Sequence, residues 1–149
     1  MGVEIERKFL VDPTLLPTLG EANAFRQGYL ATAPTVRLRI ARDRAELTIK
    51  GPGLVSRPEY NYPIPVEDAE AMWSMIKSGL EKRRYRVEHA GRTWDVDEFL
   101  GGLTGFWLAE IELRAVNETF ELPPWVTKEV SGDPRYSNAC LAEHGVPDR

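Results

Sequence analysis

The sequence predicts an α+β fold: an eight-stranded antiparallel β-barrel forming a tunnel with a charged interior, with helices packed on its outside. Three observations lead there. Most of the 149 residues fall into short alternating segments separated by turn signals. Only two stretches read as helix. The strands collect charges of one sign on one face, which a strand exposed to water rarely does.

In chain order, the strands are expected at about 2–11, 24–31, 35–41, 44–50, 57–64, 82–89, 92–99 and 105–115. Between them lie TAPT (32–35), Arg42-Asp43, Gly51-Pro52-Gly53, Ala90-Gly91 and Gly101-Gly102, each a turn former. One helix is expected over about 66–78, where Ala69, Met72, Trp73 and Ile76 repeat at helical spacing behind the acidic start Glu67-Asp68. A second is expected near 134–144, ending at Gly145. No internal repeat or low-complexity stretch interrupts the pattern, and the length suits one domain over 1–149.

Side chains two apart on a strand share a face. Glu4, Glu6 and Lys8 therefore line up, opposite Val3, Ile5 and Phe9. Arg37 and Arg39 oppose Val36, Leu38 and Ile40, while Glu46, Thr48 and Lys50 oppose Leu47 and Ile49. Lys82, Arg84 and Arg86 form another row. Asp95 and Asp97 oppose Trp94 and Val96, and Glu110 and Glu112 stand apart from Leu108, Ile111 and Leu113 in polarity. Like charges two residues apart sit about 7 Å from each other, a small repulsion in water and a large one in a dry cavity. Clustered carboxylates suit divalent cations, and clustered Lys and Arg suit phosphoryl oxygens. Placing both sets inside one barrel gives a wet, charged tunnel whose apolar outer faces are covered by the two helices.

Composition narrows the class further. Acidic residues exceed basic ones, giving a net charge of −4, which argues against a nucleic-acid binder. The single cysteine, Cys140, forms no internal disulfide and reads as packing. No apolar run is long enough to cross a membrane, and the amino terminus lacks a signal-peptide core, so a cytoplasmic protein is expected. His89 and His144 have no triad partners at an informative spacing, and Gly51-Pro52-Gly53 lacks the Lys-Ser/Thr of a phosphate loop. Trp94, Trp107 and Trp125 are expected on the barrel's outside, where a patch around Trp107 or Trp125 would serve a homodimer.

Glu4-Ile5-Glu6-Arg7-Lys8 carries the ExExK signature of the CYTH superfamily, the triphosphate tunnel metalloenzymes. In the same order as in that family follow RQGYL (26–30), VRLRI (36–40), LTIKG (47–51), RPEY (57–60), Lys82-x-Arg84-Tyr85, WDVDEF (94–99), LAEIEL (108–113) and EVSGDPRYSN (129–138). The chain resembles the short bacterial members that act as inorganic triphosphatases. The resemblance implies that Lys8, Arg37, Arg39, Lys50, Lys82 and Arg84 bind phosphates and that Glu4, Glu6, Asp97, Glu110 and Glu112 hold Mg²⁺ or Mn²⁺. Glu59 matches an acidic tunnel position and Tyr29 a tyrosine near the terminal phosphate. Glu6 and Asp97, beside a metal that activates water, and Tyr29 are the expected catalytic groups. Asn61 stands where the family usually has a second acid.

The implied reaction is metal-dependent hydrolysis of tripolyphosphate to pyrophosphate and phosphate. Three readings stay open on the sequence: this hydrolysis, or that of nucleoside or thiamine triphosphates; an adenylate cyclase of the same superfamily; and a non-catalytic polyphosphate-binding or nucleotide-binding module. Arg149 is expected to be a surface residue without a role.

Overall fold

The computed structural model describes residues 2–147, so Arg149 lies outside the described residues. Eight strands close an antiparallel barrel: β1 (Val3–Val11), β2 (Asn23–Thr32), β3 (Thr35–Ala41), β4 (Arg44–Lys50), β5 (Ser56–Ile64), β6 (Ser78–His89), β7 (Arg92–Phe99) and β8 (Trp107–Glu112). Around the barrel the order is β1-β5-β4-β3-β2-β6-β7-β8 and back to β1. The closing strand is β1, which pairs with β5 through Val3↔Pro58 to Ile5↔Ser56 and with β8 through Glu6↔Glu112 to Leu10↔Leu108. The hairpin turns need left-handed backbone, supplied by Arg42 (φ 59°) and by Ala90 and Gly91 (φ 50° and 75°).

A ninth strand, β9 (Val126–Glu129), was not expected; it pairs with residues 9–11 of β1, beyond the stretch that β5 occupies. Four residues after Pro123-Pro124 carry too little alternation to announce a strand. The partner edge of β1 creates it.

The first helix is shorter than its periodicity implies. Helix α1 (Val66–Met72) tightens into a 3-10 turn at Trp73–Met75, and Ile76 is already extended. From Lys77 onward the backbone is claimed by β2: Lys77 N–H donates to the Tyr29 carbonyl, and Ser78 pairs with Tyr29. Ile76 nevertheless packs as its spacing suggested, over Gly28, where a Cβ would meet its Cγ2 at 2.7 Å. The outer cluster Ile40, Ala45 and Ala69 seats α1 on the barrel wall.

The second helix, α2 (Asn138–His144), follows a 3-10 turn at Pro134–Tyr136; Ser137 Oγ caps it by accepting from Cys140 N–H at 3.1 Å, and Gly145 (φ 79°) ends it. Where α1 lies on the barrel wall, α2 packs across one end of the barrel. Leu141 packs with Leu80, Phe99 and Leu108, which share strand faces with Lys82, Asp97 and Glu110. The inner faces of the strands thus turn from charged to apolar at one end of the barrel, and α2 closes that end. Leu108 belongs to the inner face, not to the apolar outer set of Ile111 and Leu113.

The outer wall over β1, β7 and β8 is covered by extended chain. Phe9, Trp94, Ile111 and Trp125 form a buried cluster against Leu16, Leu19, Phe120 and Val126. Trp94 and Trp125 meet edge to face at 5.5 Å. At 2% exposure Trp125 is unavailable as a dimer patch, whereas half-buried Trp107 stacks on Tyr85. Among the described residues, no helix is long and apolar enough to cross a membrane.

Candidate functional site in the barrel cavity

The inner faces enclose a cavity of about 450 Å³. Seven basic side chains line it (Lys8, Arg37, Arg39, Lys50, Arg57, Lys82, Arg84), together with eight acidic ones (Glu4, Glu6, Glu46, Glu59, Asp95, Glu110, Glu112, Glu143). Strand register explains the convergence. Arg37 faces Tyr29 on β2 and Thr48 on β4, Lys50 faces Glu59, and Asp95 faces Glu110. Around the barrel, β3 and β6 supply Arg37, Arg39, Lys82 and Arg84, while β7, β8 and β1 supply Asp95, Glu110, Glu112, Glu4 and Glu6. The result is a cationic arc facing an acidic arc.

On the cationic arc, the groups are held but not all neutralised. Lys50 Nζ lies 3.2 Å from Glu4 and 3.4 Å from Glu59. Arg37 donates to Thr48 Oγ1 at 3.0 Å and sits 3.6 Å from Glu46, yet its buried Nε has no acceptor. Arg39 donates to neutral Gln27 Oε1 at 2.9 Å and stacks over the Phe25 ring at 4.3 Å. Burial, with Arg37 and Arg84 beside it, lowers the Arg39 pKa to about 9. Such a cation is best satisfied by an anion from outside the protein. Tyr29 is 2% exposed, accepts from Gln27 Nε2 at 3.2 Å, and is pushed above the ordinary tyrosine range by burial.

Asp97 is placed differently from the other expected ligands. It is fully buried behind the cavity wall, accepting from Lys82 Nζ at 2.7 Å and from Arg84 Nε and Nη2 at 2.8 and 2.9 Å. Burial of Lys82 still outweighs this partner and lowers its pKa to about 7. Asp95, which the sequence placed on the same face without a role, lines the cavity instead.

The acidic arc repels itself. Burial, then the charges of Glu110 and Glu4, push Glu6 well above the usual carboxylate range. The Glu110 pKa is instead held down, against burial, by Lys8, Arg84 and Lys82 and by its contact with Glu6. Glu112 is raised by burial and by Glu4, Glu59, Asp95 and Glu110. Among the described residues, no three such donors converge closely enough to hold a metal as they stand. The reason is visible: Glu4 is engaged by Lys50 and by Arg57 at 3.3 Å, and Glu6 with Glu110. The donor set still fits a divalent cation. It is oxygen-only, crowded with like charge, and would be relieved by a cation.

Lys8, Tyr29, Arg37, Arg39, Lys50, Glu59, Lys82 and Arg84 all reach the cavity, as do Glu4, Glu6, Glu110 and Glu112. Asn61 is there too, accepting from Thr48 Oγ1 at 2.6 Å, so it tethers the hydroxyl that holds Arg37. Sequence reasoning missed Gln27 and Arg57, which alternation from Tyr29 and Glu59 would have found. It also missed Asn138 and Glu143, which no strand pattern signals. Cys140 sits in α2 at the cavity edge, and burial raises its pKa.

The CYTH domain pattern matches residues 2–143. The chain belongs to the CYTH family. It is 42% identical over 149 residues to the inorganic triphosphatase of Acetivibrio thermocellus, covering 97% of this chain and 96% of that one. It is 38% identical over 148 residues to the inorganic triphosphatase of Nitrosomonas europaea, covering 93% and 96%. The crystal structure of an inorganic triphosphatase superposes with a TM-score of 0.66 at 35% identity, covering 93% of this CYTH chain and 96% of that one.

Proposed function

We propose that the chain is a single CYTH domain that hydrolyses inorganic tripolyphosphate to pyrophosphate and phosphate with Mg²⁺ or Mn²⁺. The observation that carries this reading is the cavity's division into a cationic arc, with Arg39 lacking a carboxylate partner, and a self-repelling acidic arc. The similarity to two proteins named inorganic triphosphatase supports it.

Near neutral pH tripolyphosphate carries about four to five negative charges. Arg37 and Arg39 offer planar forks to its non-bridging oxygens, and Lys8, Lys50, Lys82 and Arg84 offer point contacts along the chain. In a low-dielectric barrel each contact is stronger than in water and fixed before the reaction begins. Tyr29 Oη closes the wall between Arg37 and Gln27, beside a phosphate end. Glu4, Glu6, Glu110 and Glu112 are the groups that would hold the cation, whose charge would relieve the repulsion among them. The cation's contribution is Lewis-acid neutralisation of developing phosphate charge. Asp97 enters this reading as the anchor of Lys82 and Arg84, while Glu59 fixes Lys50.

The test is phosphate release from tripolyphosphate, ATP, thiamine triphosphate and pyrophosphate, each with Mg²⁺, Mn²⁺ or EDTA. EDTA-sensitive release, fastest from tripolyphosphate, is expected. Cyclic AMP from ATP, or tight binding without release, would overturn the reading.

A further inference from the structure

The C-terminal segment that closes the barrel also reaches into the cavity wall. Asn138, the first residue of α2, accepts from Lys82 Nζ through Oδ1 at 2.8 Å. The same oxygen lies 3.5 Å from Gln27 Nε2. Gln27 is fully buried, and its amide serves two other cavity groups, accepting from Arg39 Nε at 2.9 Å and donating to Tyr29 Oη at 3.2 Å. An ammonium has three N–H donors. On Lys82, Asp97 and Asn138 take two, so the third is left for the cavity that Lys82 lines. Asp97 alone fixes one direction and leaves the amine free to swing about it; a second acceptor removes that freedom.

The geometry points to Asn138 as a positioning residue that aims the Lys82 amine at the substrate. Gln27 does the same for Arg39 and Tyr29, and their shared contact ties α2 to the phosphate-binding wall. The inference rests on the triphosphatase reading, because its effect is felt through a bound phosphate chain. The Gln27–Asn138 contact at 3.5 Å is where coupling is to be measured.

The experiment compares Asn138→Ala and Asn138→Asp, each in the wild-type and the Lys82→Ala backgrounds. Turnover of tripolyphosphate, its binding by calorimetry, and the melting temperature are recorded. Alanine at the first position of a helix is tolerated, so α2 should persist and the melting temperature should stay close to wild type. Losing a charge-assisted contact that orders a reacting group should lower kcat by about tenfold with little change in KM. Asn138→Asp keeps the acceptor and should recover most of that loss. With Lys82 already removed, Asn138→Ala should cost far less than in the wild type, only what its contact with Gln27 supplies.

An equal cost in both backgrounds would make Asn138 a structural residue and overturn the inference. So would full activity of Asn138→Ala beside an active wild type. A wild type that binds tripolyphosphate without turning it over would overturn the triphosphatase reading alone; the positioning role is then judged by whether Asn138→Ala weakens binding only when Lys82 is present. A wild type that does neither would overturn both. Gln27→Ala, paired with Asn138→Ala, tests the link: a double variant no worse than the poorer single supports it, and additive losses refute it.

Discussion

Replacing Asp97 by asparagine should lower stability sharply, and the size of the effect follows from its two partners. The amide that replaces the carboxylate keeps one acceptor but presents N–H groups to donors already in place, Lys82 Nζ at 2.7 Å and the Arg84 fork at 2.8 and 2.9 Å. Breaking a buried ion pair from one side costs about 3–5 kcal/mol. Lys82 softens this, because its pKa already lies at about 7 and it can shed the proton once Asp97 is neutral. Arg84 cannot. Among the described residues the carboxylates left to it are Asp95 at 3.5 Å and Glu110 at 3.9 Å. A net loss of about 3 kcal/mol is therefore expected, which for a chain of this size is roughly 6–12 °C in melting temperature. Thermal unfolding followed by circular dichroism at neutral pH measures it. Added tripolyphosphate should return part of the loss by supplying anionic oxygens to the freed cations. A variant that melts with the wild type, and loses only divalent-cation affinity, would show that Asp97 is a metal ligand and that its pairing with Lys82 and Arg84 adds no stability.

Other expected outcomes follow from single features. Arg39→Ala should weaken tripolyphosphate binding about 10–100-fold, the worth of a charge-assisted contact, while Arg42→Ala, whose side chain is 72% exposed, should not; equal effects would place Arg39 outside the binding wall. Gly28→Ala should destabilise by about 1–3 kcal/mol through the clash with Ile76, and a denaturant midpoint unchanged from wild type would refute that packing. Glu6 has a folded pKa raised above its usual 4.5, so its protonated form contributes stability that is lost as pH rises through the folded value. Glu6→Gln should therefore match wild type below pH 4.5 and become progressively more stable than it above. A difference independent of pH would contradict the like-charge crowding of Glu4, Glu6 and Glu110.

Strand alternation is a strong signal where one face must avoid water and the other must avoid oil. That is why Arg37 with Arg39, Lys82 with Arg84 and Glu110 with Glu112 could be assigned to one cavity from the chain alone. The same rule carried a systematic error. It treats a face as uniform along a strand, yet Leu80, Phe99 and Leu108 continue charged faces as apolar ones at the closed end. Asp97 shows the complementary difficulty. Period two places it inside, but whether an inward carboxylate meets solvent or hides behind Lys82 and Arg84 depends on side-chain depth, which sequence spacing does not encode. Strand β9 and the C-terminal end of α1 were set by pairing partners more than a hundred and nearly fifty residues away, respectively, and tertiary ladders override local propensity.

Strand β1 is hydrogen-bonded to β8 along one edge and, in succession, to β5 and β9 along the other. Among the described residues most of its length is paired on both edges, which leaves little for water to begin peeling and little for another chain to lengthen into a fibre. Its amides can exchange with solvent only when segments far apart in the chain let go together. Hydrogen exchange should accordingly find the slowest protons of the described residues in β1, with protection there reporting global unfolding and the hairpin tips reporting local breathing. The pairing of Phe9 with Glu129 joins residues 120 apart in the chain, so the last contacts of the ExExK strand form across a long separation.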